Sequence, residues 1–230
     1  MRRSVLRVLL AAALIAGVLT AAPARADDGC APGGTPPPPG TVQRQVDDLD
    51  GDGLPDALWI AAVRGADGAT KRFVGVSTAS GAYTDLQVES ASPIPLTALA
   101  IDAENNGQHQ IIVSDGRGAY LYMFAGCQIR TVVDDRGARF VFDLQNLRDR
   151  GTGIGCSDLG EGRRLVELQA LQEDNQWTVR RTAIELSDTR ASIGPSDTVT
   201  ASSAQDPVVT SAHTITCGNL TIDQDGVKER

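Results

Sequence analysis

Acidic residues recur at alternating positions in one short stretch of this sequence, and that spacing suits the chemistry of a hard metal cation. Aspartate occupies the first, third, fifth and ninth positions of the stretch that begins at Asp48, and Gly53 occupies the sixth. Calcium takes six to eight oxygen ligands, and carboxylates at alternate positions can turn toward one ion where a glycine permits a sharp bend. The carbonyl of the residue after the glycine can add a backbone oxygen. The stretch therefore predicts a Ca²⁺ site with the ligands Asp48, Asp50, Asp52, Leu54 and Asp56.

The flanks of this acidic stretch differ from those of the helix–loop–helix calcium motif. That motif places a bidentate glutamate at the twelfth loop position, whereas the twelfth position here is Trp59. Residues 57–63 are rich in strand-forming side chains and predict a strand rather than a helix. We therefore expect the loop to join two strands. The alternative interpretation is an acidic turn that is only hydrated.

The acidic stretch belongs to an internal repeat. Related turns begin at Asp102, Asp158 and Asp223, and an apolar, strand-like segment follows each of the first three turns of the chain. The glycines of those three turns are 54 and then 55 residues apart, and they are Gly53, Gly107 and Gly162. The repeat predicts a unit of one turn with three or four strands, present about three times, with a partial fourth unit at the end of the chain.

The later copies of the turn carry fewer ligand groups than the first. The second keeps oxygen-bearing side chains but has lost charge, and whether it binds an ion stays open; its residues are Asp102, Glu104, Asn106 and Gln110. The third is one residue shorter, has Leu165 in place of the last acid, and predicts a structural turn. The fourth, at Asp223, is expected to be an exposed tail without a following strand.

Short apolar segments separated by turn residues occupy most of the chain after Gly40. The segments are rich in Val, Ile, Thr, Phe and Tyr, and the turns are rich in Gly, Asp, Asn and Pro. No segment keeps a helical period between capping residues for three turns. We therefore predict an all-β, antiparallel domain over residues 41–230. Repeated four-stranded units are how a propeller buries its sheet faces, so we expect propeller-like blades.

The N-terminal region has the layout of a secretory signal peptide. Positive charge precedes an apolar run over residues 8–19, and Ala24-Arg25-Ala26 gives a small-x-small cleavage pattern. The run is shorter than the roughly 20 apolar residues that a membrane-spanning helix needs. We predict that residues 1–26 are a signal peptide, that no segment spans a membrane, and that the protein is extracellular or in the cell envelope. Residues 27–40, rich in proline and glycine, predict a semi-rigid tether.

Four cysteines in an exported chain predict two disulfides, because exported proteins fold in oxidising surroundings. Their positions are Cys30, Cys127, Cys156 and Cys217. Three pairings are possible, and the sequence does not choose among them. We predict Cys127 with Cys156, and Cys30 with Cys217, since the second pair would join the two ends of the domain. The sequence contains no Cys-x-x-Cys that would indicate zinc or redox chemistry.

The charge of the chain excludes some classes of partner. Its formal net charge is −8, and loss of the four arginines of the signal peptide would make it −12. Nucleic acids and anionic membrane surfaces would repel such a chain, whereas cations would not. The sequence has only two histidines and no Gly-x-Ser-x-Gly. Neither a nucleic-acid partner nor catalysis by a serine triad is expected.

The sequence resembles proteins with FG-GAP or VCBS repeats, the units of integrin-alpha-type propellers that also occur in secreted bacterial proteins. The Asp48–Asp56 motif, its strand flanks and the repeat spacing carry the resemblance over most of residues 41–225. It implies calcium loops between the strands of hairpins, and a role in binding or adhesion rather than catalysis. The chain departs from the family in having fewer units and no clear Phe-Gly…Gly-Ala-Pro signature.

These observations together predict a secreted, non-enzymatic binding or adhesion module with a structural Ca²⁺. Its partner would be an extracellular protein or a glycan, and the sequence determines neither that partner nor the oligomeric state. Two alternatives stay open. One is a secreted hydrolase acting on an extracellular polymer, which would need two carboxylates facing one cleft outside the calcium loop. The other is a purely structural protein of the envelope.

Overall fold

Three large antiparallel sheets follow one another along the described part of the chain, which also contains one two-stranded sheet. In a computed structural model, the described residues are 29–144 and 152–230, so the predicted signal peptide lies outside them. Alternating apolar and polar residues between glycine-rich turns produce the strands. The first sheet has the sequential order β1-β2-β3-β4. Its strands are β1 (Val42–Gln45), β2 (Ala57–Arg64), β3 (Thr70–Ser77) and β4 (Tyr83–Val88).

The second sheet repeats this plan and gains two short strands. Its main strands are β5 (Thr97–Ile101), β6 (His109–Ser114), β7 (Gly118–Ala125) and β8 (Gln128–Thr131). A short strand, β9 (Val141–Asp143), also pairs with β7. The third sheet has the order β10-β11-β12-β13. Its strands are β10 (Thr152–Asp158), β11 (Arg163–Glu173), β12 (Gln176–Ser187) and β13 (Arg190–Ala201).

The C-terminal region contains short elements that pack against the sheets. They are α1 (Pro207–Ser211), β14 (Thr216–Cys217), β15 (Leu220–Thr221), α2 (Ile222–Asp225) and β16 (Val227–Lys228). Asp206 caps α1 by accepting a hydrogen bond from the backbone N–H of Val208, and Pro207 occupies the first helical position. Strand β16 pairs with β5 at the edge of the second sheet.

The second sheet lies between the other two, and both of its faces are buried. In β6, Ile111 and Val113 pack into a core shared with the first sheet, which we call the first core. Ile112, between them, packs into a core shared with the third sheet, which we call the second core. Because successive side chains of a strand point to opposite faces, a strand buried on both sides needs a continuous apolar run. The sequence of β6 supplies that run.

The outer faces of the stack differ. The outer face of the third sheet is apolar and packs against Val209 and Ala212 of the α1 region, which closes it. The outer face of the first sheet carries polar side chains and the indole of Trp59. The predicted all-β, antiparallel class is confirmed, with two short helices, and the acidic turns join the first two strands of each sheet. No closed propeller ring is formed by the described residues.

The predicted disulfide pairing is wrong. The bonds join Cys30 to Cys127 and Cys156 to Cys217. Cys127 lies in the β7–β8 turn of the second sheet, beside the segment that precedes β1, so it meets Cys30. Cys156 lies in β10, and the 214–217 segment runs next to that strand through a bridge between Ile154 and Ile215. The order in which the sheets stack therefore determines which cysteines form each disulfide.

The expectation for the fourth acidic stretch is also wrong. Instead of an exposed tail, Asp223 lies in α2, and a strand follows in which Val227 is 2% exposed. The side chain of Glu229 accepts a hydrogen bond from Leu96 N–H at 2.8 Å and pairs with Arg72. The stretch therefore completes the edge of the second sheet, and no fourth sheet begins in it.

The predicted tether is attached to the second sheet at one point and to the first sheet at another among its described residues, 29–40. Cys30 is tied by its disulfide, and the backbone of Gly33 bonds to Gly81 and Tyr83. The boundary drawn at Gly40 stays a prediction. In the described part of the chain, no helix has the length and apolar character needed to cross a membrane.

Candidate metal centre

The first acidic turn, residues 46–56, joins β1 to β2 and is called loop 1. Backbone hydrogen bonds between Val46 and Asp56 (2.9 Å) and between Asp56 and Asp47 (3.4 Å) close its base. Gly51 and Gly53 have φ values of 83° and 84°, a left-handed conformation that side chains beyond glycine rarely adopt. The two glycines therefore allow the chain to fold back over its own carboxylates.

Asp48 organises the turn through backbone contacts. Its Oδ1 accepts a hydrogen bond from Gly51 N–H and its Oδ2 accepts one from Gly53 N–H, both at 2.7 Å. Asp52 Oδ1 accepts a hydrogen bond from the N–H of Leu54 at 2.7 Å. Such local bonds from aspartate to nearby amides favour turns over strands or helices. They explain why this acidic stretch breaks the sheet between β1 and β2.

Asp56 anchors the loop to the body of the first sheet. It is 2% exposed, and its two carboxylate oxygens accept hydrogen bonds from Leu49 N–H at 2.7 Å and Ala79 N–H at 2.9 Å. Burial raises the pKa of Asp56, because the charged form is poorly solvated. The two hydrogen bonds lower the pKa, and the charges of Asp50 and Asp48 raise it again. A cation beside this carboxylate would favour its ionised form.

Asp50 is held by residues from outside the loop. Its Oδ2 accepts a hydrogen bond from Cys30 N–H at 2.8 Å. Ser80 Oγ lies 3.3 Å from the same oxygen and 2.6 Å from the carbonyl oxygen of Cys30. Gly29 packs so closely on the loop that a Cβ there would approach Asp52 to 2.7 Å. No spacing in the sequence indicates these contacts, since 20 and 30 residues separate Asp50 from Cys30 and Ser80.

Three of the four predicted carboxylates converge. One oxygen from each of Asp48, Asp50 and Asp56 lies within 4.8 Å of the others. Ligand oxygens around one Ca²⁺, each at about 2.3–2.6 Å from the ion, are separated by at most about 5 Å. Asp52 is outside this group, and its Oδ1 faces the N–H of Leu54. The geometry therefore suits a hard divalent cation held by three carboxylates, and it does not bring Asp52 to them.

The charges of loop 1 are not balanced by basic side chains. In the described part of the chain, no salt bridge reaches Asp48, Asp50, Asp52 or Asp56. Carboxylates this close repel one another, and the repulsion is strongest where the surroundings exclude water. A bound cation would remove that repulsion.

The second acidic turn, residues 102–110, is called loop 2 and reproduces the hydrogen bonds of loop 1. Asp102 Oδ2 accepts a hydrogen bond from Gly107 N–H at 2.8 Å, as Asp48 does from Gly53. Asn106 Oδ1 accepts one from Gln108 N–H at 2.9 Å, in the position of Asp52. Gln110 Oε1 accepts one from Ala103 N–H at 2.9 Å, in the position of Asp56. The repeat predicted from glycine spacing is thus matched by three equivalent hydrogen bonds, whereas the other oxygen of Asp102 accepts from Asn106 N–H and that of Asp48 from Gly51 N–H.

Loop 2 differs from loop 1 in its contact with a basic side chain. Arg163 Nη1 donates to the carbonyl oxygen of Asp102 at 3.1 Å and also bonds Asn105 Oδ1. The guanidinium of the third sheet therefore fastens loop 2 to its neighbour. The third turn is shorter, as predicted: Asp158 accepts hydrogen bonds from Gly160 and Gly162, and Leu165 is buried in the second core.

Among the carboxyls of residues 29–144 and 152–230, Glu167 is the one outside loop 1 whose pKa is raised, a shift that could serve catalysis. Burial raises its pKa, the negative charge of Asp143 raises it further, and Arg180 opposes the shift. A carboxyl whose pKa is raised keeps its proton to higher pH than an ordinary glutamate, and can act as a proton donor if substrate reaches it. This is the feature on which the alternative of a secreted hydrolase depends.

Comparison of the chain with protein-family models, with curated proteins and with solved structures finds no match in any of the three. The resemblance of the sequence to FG-GAP and VCBS repeats therefore stays a hypothesis. The chemistry of loop 1 has to be inferred from its own residues.

Proposed function

We propose that the protein is a secreted binding or adhesion module in which loop 1 holds a structural Ca²⁺. The observation that carries the proposal is the hydrogen-bond match between the two loops. Loop 2 forms the same turn with an amide at Asn106 and another at Gln110. The turn therefore does not need carboxylates at those positions. We infer that the extra negative charge of loop 1 serves to bind the cation.

The environment of Asp56 supports a cation at this place. A buried carboxylate with two negative neighbours is costly when nothing balances the charge. The raised pKa of Asp56 reflects that cost. Ca²⁺ between the oxygens of Asp48, Asp50 and Asp56 would offset both burial and repulsion, and water or the carbonyl of Leu54 would complete its six to eight ligands.

The ion would connect three parts of the first sheet. Asp48 belongs to the β1–β2 turn, Asp56 is bonded to Ala79 in the β3–β4 turn, and Asp50 is bonded to Cys30 of the N-terminal segment. A ligand that binds only the folded chain raises its stability. Extracellular calcium modules bind with Kd values of about 10⁻⁴ to 10⁻³ M. The ion would thus be part of the fold in an extracellular medium.

Several features favour a binding role outside the cell. Two disulfides are typical of exported proteins. The resemblance to FG-GAP and VCBS repeats implies adhesion, and a propeller-like arrangement of the three sheets belongs to this proposal. The partner would be an extracellular protein or a glycan, and no catalytic step is assigned to the module.

The experiment is thermal unfolding of the wild type with calcium and with chelator, together with isothermal titration. At a calcium concentration about ten times Kd, the ion would add about 1.4 kcal/mol and raise Tm by roughly 3 to 6 °C. The variant Asp48→Asn with Asp50→Asn keeps one acceptor oxygen in each side chain, gives up one of the two hydrogen bonds of Asp48, and should lose the rise. Asp102→Asn in loop 2 is the matched control and should keep it. Identical melting of the wild type in both conditions would contradict the proposal.

The second candidate function is hydrolysis of an extracellular polymer, with Glu167 as the proton donor. Its raised pKa is the observation that favours it. A panel of polysaccharides with a reducing-end assay tests it, with Glu167→Gln as the variant. Activity that the wild type has and Glu167→Gln lacks would support this function over the binding module, and no activity in the wild type would exclude it for that panel.

A further inference from the structure

The outer face of the first sheet carries an ordered set of polar side chains. Strand pairing places Gln45, Ala57, Ser77 and Tyr83 in one row that crosses all four strands. This row points away from the first core, because the alternate residues of the same strands, such as Leu58, pack into that core. The row therefore faces outward, on the side that no helix covers.

A groove of about 570 Å³ lies over this row. Its floor consists of the short side chains of Ala57 and Ser77, and Gln45 and Tyr83 stand on opposite sides of them. The proline segment 36–37 and the side chain of Gln43 form further parts of the wall. Small residues between larger polar ones leave a depression, and its size is within the range of small-ligand sites.

The floor of the groove contains a polar atom without a partner. Ser77 Oγ is buried, and no described residue forms a hydrogen bond with it. In the adjoining row the indole Nε1 of Trp59 is also buried without a partner, with the ring lying over Gly75. Buried polar groups are nearly always hydrogen-bonded, so each exception calls for an explanation. A change of rotamer would turn the Ser77 hydroxyl toward the groove, where a hydroxyl-bearing ligand would supply its partner.

The side chains that line the groove indicate which class of ligand it can bind. No lysine, arginine or histidine lines the groove, which disfavours phosphate, sulfate or acidic ligands. The backbone groups of β2 and β3 are used in pairing on both sides, so an extended peptide cannot add to them as a strand. Amides, hydroxyls and a phenol both donate and accept hydrogen bonds, as sugar hydroxyls require. An aromatic ring such as Tyr83 adds a flat apolar contact.

We propose that this groove binds a neutral glycan, which gives the binding module its ligand class. The inference rests on the proposed binding function but not on the ion itself. Asp56 and Thr78 line the end of the groove nearest loop 1, so a calcium ion there would fix that wall without contacting the sugar. Gln43 and Gln45 bind hydroxyl pairs, Ser77 bonds from the floor, and Tyr83 packs on the ring.

The test is backbone amide NMR of the full mature chain, titrated with neutral tetrasaccharides built of glucose, N-acetylglucosamine, galactose or mannose units. We expect at least one of them to shift amides at residues 43–45, 57, 77 and 83. The double variant Gln45→Ala with Ser77→Ala should weaken that saccharide about tenfold, as expected for two lost hydrogen bonds. Gln128→Ala, an exposed glutamine on the second sheet, is the matched control and should bind as the wild type does.

The possible outcomes distinguish a failure of the glycan proposal from a failure of the metal-site proposal. If no saccharide shifts these amides, or if shifts appear only elsewhere, the glycan groove is wrong, even where calcium raises Tm. If a saccharide binds the groove and calcium has no effect on Tm, the groove stands and the metal site is wrong. Equal affinity of the wild type and the double variant, both folded by their amide spectra, would also overturn the groove.

Discussion

Loop 1 and loop 2 form the same turn from different chemistry. In both loops an aspartate accepts a hydrogen bond from the N–H of a glycine five residues later. In both, a side-chain oxygen at the end of the loop accepts another from the N–H of the residue that follows that aspartate. In loop 1 that last oxygen belongs to Asp56, and in loop 2 to the neutral Gln110. The difference teaches that the shape of the turn requires acceptors, whereas the negative charges of Asp52 and Asp56 have no counterpart in loop 2, where Asn106 and Gln110 take their places.

The second difference between the loops lies in what holds them from outside. Loop 1 is bonded through Asp50 to Cys30, which a disulfide joins to Cys127. Loop 2 is bonded by Arg163 of the third sheet. The more acidic loop, which we propose holds a cation, is thus fastened by a neutral amide, and the loop with less charge is fastened by a cationic side chain. Four predictions test this comparison.

The largest effect is expected from removing the disulfide next to loop 1. Cys30→Ser with Cys127→Ser opens a link across 97 residues and should cost about 4 to 5 kcal/mol in the free energy of unfolding. Calcium affinity should fall as well, because Cys30 N–H is no longer held on Asp50. Denaturant unfolding and calcium titration measure the two effects.

The matched control for that variant is Cys156→Ser with Cys217→Ser, which opens a link across 61 residues. It should lose stability by a similar amount but keep calcium affinity, since neither cysteine contacts loop 1. If both pairs change calcium binding equally, the contact between Cys30 and Asp50 has no specific effect.

A smaller loss is expected from Asp56→Ala. The change leaves the buried N–H of Leu49 and the partly buried N–H of Ala79 without their acceptor and should cost about 3 kcal/mol even in chelator. Gln110→Ala in loop 2 frees one such N–H, that of Ala103, and should cost about half as much. Chemical unfolding of both variants in chelator checks the ratio, and an equal cost would refute the view that Asp56 joins two turns.

A gain of function is expected when loop 2 receives the charge of loop 1. Asn106→Asp with Gln110→Asp gives loop 2 the residue types of the first copy at those two positions. Titration should then report two calcium ions per chain where the wild type binds one, with a further gain of about 1.4 kcal/mol at ten times Kd. A stoichiometry that stays at one would mean that acceptor geometry and charge are not sufficient.

The smallest effect is expected from Arg163→Gln. The variant removes bonds to Asp102 and Asn105 at the surface and should cost about 1 kcal/mol. Amide hydrogen exchange should become faster in residues 102–108 and stay unchanged in residues 48–54. Faster exchange in loop 1 as well would show that the two loops are not fastened independently.

The sequence allowed prediction of what depends on nearby residues. Strands such as β6 and β11 follow from their apolar patterns, and the three turns follow from the spacing of Gly53, Gly107 and Gly162. Side-chain to backbone bonds within five residues, as at Asp48, are properties of the local sequence. For that reason most of the predicted loop was found where the spacing placed it.

What the sequence could not provide depends on how the sheets stack. Cys30 meets Cys127 because the second sheet lies beside the N-terminal segment, and no local signal indicates that. Ser80 reaches Asp50 only because the β3–β4 turn folds over loop 1. The expectation for Asp223 was wrong for a similar reason. The strand that follows has two residues, too few to show a pattern in the sequence, and it forms by pairing with β5.

The attachment of both ends of the domain to the middle sheet decides how the molecule would carry a mechanical load. Tension on the N-terminal segment passes through the Cys30–Cys127 bond into β7 and β8, and tension on the C-terminal strand passes through its pairing with β5. The route between the two ends crosses only the second sheet, whose two faces are buried. Loop 1 contacts that route at Cys30, whereas the groove on the first sheet lies outside it, so the shape of the groove would persist in a protein held under tension.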